Sequence, residues 1–192
     1  MSGRATCWLA AALAAMATCA AGVAGAATVK SVSFPDAATI GGRECRLVGV
    51  GVRTKIIVSV YLGALYQATP TGDAAAAIAA DEPKRVVMHF VHSKVGADAI
   101  REAWRDGFSA NSAATLPQLK ERLERFSGWF DADLLKGEQI VLTYLPGQGT
   151  EVSVKGAVRG VIEGADFMRA LWSVWLGEKP ADGGLKKGML GK

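Results

Sequence analysis

Cysteine, histidine and proline are all scarce in this chain. Its 192 residues include three Cys, two His and six Pro, and aromatic residues make up 7%. Three cysteines are too few to staple a fold, and glycine and proline carry no period, so a disulfide scaffold, collagen and low-complexity disorder are excluded. Dominance of one charge sign is also missing: 22 basic residues stand against 18 acidic ones, interspersed, for a net charge of +4. A nucleic-acid footprint would cluster the basic residues. Beyond residue 23 no segment is long and apolar enough to cross a bilayer as a helix. Half of the residues are apolar, and a chain of this length buries roughly 70% of its unfolded surface. One domain follows, and its stability needs neither metal nor disulfide.

The N-terminal segment stands apart. Arg4 is the only charge before Lys30, and Cys7 to Val23 is apolar or small. Ala24-Gly25-Ala26 fits a small-x-small cleavage pattern, so residues 1–26 read as a secretory signal and 27–192 as the exported domain. An uncleaved anchor is the alternative, because about 17 apolar residues nearly span a bilayer. Met16-Ala17-Thr18 before Cys19 is a poor lipoprotein signal. Cys7 and Cys19 leave with the signal, and Cys45 is then alone, without an internal disulfide partner. It reads as a small buried hydrophobe, since no His lies near it in sequence.

Strands dominate the first part of the domain. Thr28 to Phe34, Arg43 to Arg53, Ile56 to Tyr66 and Lys84 to Val91 are rich in β-branched and aromatic residues, with Thr54-Lys55 as the turn between the second and third. A short Ala-rich helix, Asp73 to Ala80, precedes the fourth. A longer helix follows Ser93, a candidate N-cap, and runs to about Asn111. Ile100, Ala103, Trp104, Gly107, Phe108 and Asn111 share one of its faces. Thr115 reads as the N-cap of the next helix, with Leu116, Leu119, Leu123 and Phe126 inward and the Glu121/Arg125 pair outward.

Gln139 to Leu145 and Thr150 to Lys155 flank Pro146-Gly147-Gln148-Gly149 as a hairpin, and Ala157 to Ile162 adds a strand. Asp166 suits a helix N-terminus ahead of Phe167, Ala170, Leu171, Val174 and Trp175, and Gly177 closes that helix. Met168 and Trp172 make it apolar on a second face, so it should be buried. The Lys186-Lys187 and Lys192 tail reads as solvated. The fold class is α+β: a mostly antiparallel sheet with a layer of helices on one face.

Most residues with chemical potential have plain structural readings. His89 and His92, three apart on a strand, point to opposite faces and cannot share a metal. Gly49 and Gly51 lack the third glycine of a dinucleotide loop, and close backbone packing explains them. No Ser, His and Asp arrangement suggests a hydrolase. Trp172 and Trp175 read as core.

Four ordered motifs then converge. Leu47-Val-Gly-Val-Gly-Val-Arg53-Thr-Lys55, Val60-Tyr61-Leu62-Gly63-Ala64-Leu65-Tyr66, Glu102-Ala-Trp104 through Phe108 to Asn111, and Trp175-Leu-Gly-Glu178 together resemble the chalcone isomerase-like family, in an exported bacterial form, over about Val29 to Gly191. The resemblance implies an open-faced β-sandwich with a cleft between a large sheet and its helices. With the secretory signal read at residues 1–26, a bacterial form implies a periplasmic location.

That family contains isomerases and non-catalytic fatty-acid binders. Arg53 matches an arginine that holds an anionic flavonoid in the former and a carboxylate in the latter, tasks that suit a permanently charged fork of donors. Tyr66 matches the tyrosine that joins the arginine in the fatty-acid binders, and Asn111 matches an isomerase active-site asparagine. Trp104 stands where the isomerases carry a tyrosine, and an indole cannot replace a phenol in acid or base work. Ile56 and Val174 stand where they carry threonines.

The resemblance therefore implies a non-catalytic domain that binds a fatty acid or other hydrophobic carboxylate. Arg53 is expected as the anchor, Tyr66 as its partner, Trp104 in the wall and Asn111 at the pocket, with no cofactor and no metal. An isomerase (intramolecular lyase) using Arg53 and Asn111 with water, and an envelope protein that binds a partner, remain as alternatives.

Overall fold

The computed structural model describes residues 25–192; all but the last residues of the segment expected as a signal lie outside that range. Three short strands come first, β1 (Ala26–Val29), β2 (Val32–Pro35) and β3 (Ala37–Ile40). The long hairpin β4 (Arg43–Lys55) and β5 (Val58–Gln67) follows, then α1 (Ala74–Ala79) and β6 (Lys84–Phe90). A small strand β7 (Lys94–Val95) leads into α2 (Ala97–Ser112), α3 (Leu116–Gly128) and β8 (Leu134–Leu135). Strands β9 (Gln139–Leu145), β10 (Gly149–Val154) and β11 (Ala157–Ile162) complete the sheet before α4 (Ala165–Leu176) and α5 (Gly183–Met189).

Seven strands form one sheet in the order β11-β10-β9-β6-β5-β4-β3, and every neighbouring pair is antiparallel. The alternation in β6 shows why: Lys84, Val86, Met88 and Phe90 are buried while the residues between them are partly exposed, the period-2 signature of a strand with one better-covered face. Val86, Met88 and Phe90 pack under the helices with Tyr61 and Leu65. Leu62, Ala64 and Tyr66, of opposite parity on β5, pack with Phe34, Ile40 and Cys45 on the other face.

Helix α4 is sandwiched between sheet and helices, so it is apolar nearly all round, with Phe167, Met168, Leu171, Trp172 and Trp175 fully buried. At ~25 cal/mol per Å2 over roughly 200 Å2, each indole contributes about 5 kcal/mol before entropy. Asp166 in its first turn accepts a two-pronged interaction from Arg122 at 2.9 and 2.5 Å, and that guanidinium holds the Asp166 carboxyl down at about 2.

The elements agree with the α+β expectation, and several boundaries differ for local reasons. The expected strand Thr28–Phe34 is a hairpin, because Lys30 and Ser31 adopt positive φ (48° and 65°), the pattern of a type I′ turn. The turn expected at Thr54-Lys55 lies at Ile56-Ile57, with Ile56 at φ 60°. Ser93 does not cap α2, since Lys94–Val95 pairs with Leu134–Leu135 and the helix starts at Ala97. Thr115 precedes α3, but its hydroxyl donates back to the Ser112 carbonyl at 3.2 Å instead of accepting from the helix.

In the tail, Lys187 and Lys192 are exposed as expected, but Lys186 is half-buried and donates to the Gly177 carbonyl at 2.8 Å, and the segment carrying the lysine pair is the helix α5. Asp182 caps it by accepting from Leu185 N at 2.8 Å, and Leu185 and Met189 are fully buried. Gly49 and Gly51 explain the docking: a Cβ on Gly49 would stand 2.2 Å from the Gly188 carbonyl oxygen, and one on Gly51 2.1 Å from that of Leu185. The glycines of β4 are the bed of a helix.

Candidate functional site

Arg53 sits near the end of β4, directly opposite Tyr61 on β5. Opposed residues of an antiparallel pair project from the same face, so both lie on the helix-covered side. Tyr61 is 7% exposed, and its hydroxyl accepts from Trp175 Nε1 at 3.1 Å. Burial pushes the Tyr61 phenol up to about 12, with the Trp175 hydrogen bond and the charge of Arg53 acting against the rise. Trp175 in turn stands edge-on to Trp104 with ring centroids 5.5 Å apart. A cation, a phenol and two indoles thus run inward from the sheet edge.

The segment between α4 and α5 covers this cation. Arg53 donates through Nη1 to the Ala181 carbonyl, and Thr54 N donates to Asp182 Oδ2 at 3.1 Å. Burial works against the Asp182 carboxylate, yet the N–H groups of Leu185, Thr54 and Gly184, with Arg53 behind them, keep its pKa below the usual range. The other guanidinium nitrogens of Arg53 make no hydrogen bond among the described residues, and none of them is fully enclosed. Donors therefore remain for a further acceptor.

The amide of Asn111 is engaged by the chain itself. Its Nδ2 donates to the carbonyls of Gly107 (3.0 Å) and Lys179 (2.8 Å), and its Oδ1 accepts from Lys179 N at 3.0 Å. The side-chain amide is spent on holding the post-α4 segment, and so on holding Ala181 over Arg53. Tyr66 lies elsewhere. Five residues from Tyr61 on a continuous strand, it faces the opposite side of the sheet, roughly 17 Å along, and its hydroxyl donates to the Pro35 carbonyl at 2.9 Å. The phenol beside Arg53 is Tyr61, missed in the sequence because a one-residue bulge between Arg53 and Thr54 puts Tyr61 opposite Arg53 where an unbroken ladder from Thr54–Ser59 would put Val60; no local sequence signal marks that bulge.

Trp104 is 3% exposed and packs against Phe126 and Phe130 as well as Trp175. Its Nε1 is buried without a partner, as is that of Trp172. The space expected as a cleft between sheet and helices is filled by these rings together with Phe108 and Phe167. His89 bonds Gln139 at 3.0 Å through Nδ1, and no group of His, Cys, Asp and Glu among the described residues is arranged to hold a metal. Cys45 is fully buried, and burial, ahead of the nearby Glu82 charge, raises its pKa.

A second cation is buried at the other end of the same face. Lys84 is fully enclosed, and its Nζ donates to the carbonyls of Ala77 (2.8 Å), Ile78 (3.3 Å) and Ala80 (2.7 Å) at the C-terminus of α1. The ammonium lies 5.5 Å from the Trp172 ring centroid. Gln67 and Tyr144 flank it in register on β5 and β9. Tyr144 donates to Asp81 Oδ1 at 2.5 Å, whereas both polar atoms of the Gln67 amide lack partners. Desolvation pulls Lys84 down to about 8, against the charges of Glu82 and Asp81.

A family model described as chalcone isomerase-like matches residues 26–191. No curated protein matches the chain. Among solved structures, the chain is similar to the fatty-acid-binding protein AtFAP1 of Arabidopsis thaliana, with a TM-score of 0.67 and 20% identity, over 86% of this chain and 96% of that one. At that identity the likeness shows the shared fold.

Proposed function

We propose that this chain, which belongs to the chalcone isomerase-like family, is a non-catalytic domain that binds a fatty acid or similar hydrophobic carboxylate, with Arg53 as the anchor for its headgroup. The observation that carries the reading is the Arg53 guanidinium itself. It lies opposite Tyr61, whose hydroxyl accepts from Trp175, it has donors left over, and its charge already helps to favour the ionised form of the nearby Asp182. A planar fork that stays charged and leads into an aromatic layer suits an anion with an apolar tail. Entry of that tail requires the 177–182 segment to lift, at the cost of the Asn111–Lys179 and Arg53–Ala181 hydrogen bonds, and the packed rings behind it, Trp175 and Trp104 first, to move aside. The likeness to AtFAP1, itself a fatty-acid-binding protein, supports the ligand class. An exported, periplasmic setting is part of the same proposal and rests on residues 1–26 of the sequence.

Isomerase chemistry is less well supported. A proton carrier works best with a pKa near the operating pH, and Tyr61, held at about 12, keeps its proton. Asn111 is occupied by Lys179, and Trp104 offers only an N–H.

Native mass spectrometry of the protein with added dodecanoate tests the proposal. The wild type is expected to retain the ligand and Arg53→Ala to lose one bound equivalent, with affinity at that site down at least tenfold. A wild type that refuses dodecanoate, or that turns over a chalcone at a rate abolished in Arg53→Ala, would overturn it.

A further inference from the structure

An open hollow lies away from Arg53, on the outer side of the helical layer. It is a groove of about 810 Å3 between α2 and α3, within the usual range for a small-molecule site. Helix α2 contributes the stripe Arg101, Arg105, Ser109 and Ala113, spaced by four, which stacks these residues along one face.

The two ends of the groove differ. Near the α2–α3 connection it is lined by Ala113, Leu116 and Pro117, with Leu123, 8% exposed, further along α3. The far end is polar. Arg101 reaches the C-terminal end of α3, where its Nη1 donates to the Phe130 carbonyl at 2.7 Å while its Nη2 pairs with Asp98 one turn back, so the free guanidinium of the groove is that of Arg105. Ser127 lies at the same end, 5% exposed, with a buried hydroxyl that has no partner. Arg105 lies between, exposed and without an ion pair among the described residues. Glu124 is the one acidic residue in the lining, and its nearest cation is Lys120 at 4.0 Å. Arg101 to Ala113 spans about 18 Å at the helical rise, room for an extended acyl chain.

We infer that the α2–α3 groove is a binding site for one molecule of a single-chain amphiphile with an anionic headgroup, its tail over Leu116, Pro117 and Leu123 and its head at Ser127 between Arg101 and Arg105. An unpaired guanidinium and an unpartnered buried hydroxyl supply what such a head requires, charge and a directed donor. The apolar end supplies no polar contact, which sets the orientation. This site is independent of the one at Arg53, and either can exist without the other.

The test is an amide NMR titration of the protein with dodecanoate, dodecyl phosphate and the uncharged dodecyl maltoside, all below micellar concentrations. Saturable shifts are expected in α2 and α3, with the maltoside bound at least tenfold more weakly. Arg105→Glu, an exposed change, is expected to weaken both anionic probes at least tenfold and to leave the maltoside unchanged. Ala113→Trp, also exposed, fills the groove and is expected to abolish the shifts with all three probes. Arg53→Ala should leave the shifts of the groove-face residues Arg105, Ser109, Leu116, Lys120 and Ser127 intact and remove those at Trp104 and Asn111, so that failure here and failure at Arg53 are read separately. Shifts that miss these helices, or that persist unchanged in both groove variants, overturn the inference. So does co-sedimentation with phosphatidylglycerol vesicles without saturable binding of the monomeric probes, which makes this face a membrane contact.

Discussion

Arg53 and Lys84 are two cations on one face of one sheet, each opposite a tyrosine, and the chain treats them differently. Lys84 is fully enclosed and gives its three donors to the carbonyl end of α1, with the Trp172 ring beside it. A compact ammonium completes a helix terminus whose carbonyls would otherwise be buried unpaired. Arg53 is half-buried, gives one donor to Ala181 and keeps others. The enclosed cation is spent on the fold; the partly enclosed one has capacity for a ligand. Burial and the count of donors left over, more than the presence of charge, separate a structural cation from a binding one.

The largest effect expected from breaking this comparison comes from Lys84→Met, which leaves three α1 carbonyls unpaired and should cost about 2 kcal/mol in denaturant unfolding at pH 7. Its pH dependence sharpens the contrast. The folded pKa of about 8 lies below the unfolded 10.5, so below pH 8 the fold carries the full penalty of the buried charge. That penalty lifts as pH rises toward 10.5, a gain of up to about 3 kcal/mol. Tyr61 and Tyr144, with folded values of about 12 against 10, act oppositely above pH 10, where the unfolded chain ionises first. Wild-type stability should therefore climb from pH 8 to a maximum near 10, and Lys84→Met should lack the climb; urea unfolding at successive pH values reads both.

A smaller effect is expected at the other cation. Asp182→Ala removes the cap of α5 and the acceptor for Thr54 N, costing about 1 kcal/mol, while relieving Arg53 of its internal acid and tightening dodecanoate binding several-fold in the same mass-spectrometric assay. The smallest stability change belongs to Arg53→Ala, within about 0.5 kcal/mol by denaturant unfolding, despite its loss of ligand. A larger loss would place Arg53 with Lys84 as a structural cation.

Much of the architecture is legible in the sequence because it rests on periodicity. The strands from Arg43 onward, the two faces of α2 and α3 and the buried α4 are visible in the spacing of apolar residues, and four short motifs point to the family. The site is less legible. Arg53 is identifiable from its motif, but the motif pairs it with Tyr66, because a two-residue displacement of a hairpin turn, with its bulges, is invisible in local composition. The bulge beside Arg53 adds a single residue on β5, and that odd step, not the two-residue shift of the turn, changes which tyrosine shares a face with the arginine. Asn111 reads as a pocket residue because nothing in its own helix reveals that Lys179 will arrive beside it. The short helix α5 escapes notice because seven residues carry little periodic signal, and its stability comes from docking on Gly49 and Gly51.

The order of hydrophobic and polar residues along the chain determined the sheet and the helical layer, because local spacing decides which face each element must bury, and four short motifs carried the resemblance to the family. Tertiary structure decided which side chains meet: Tyr61 beside Arg53, Asn111 holding Lys179, and three α1 carbonyls on Lys84. Those pairings depend on register and on contacts between residues far apart in sequence, and a hydrogen bond formed across such a distance leaves no mark in the local pattern of either partner.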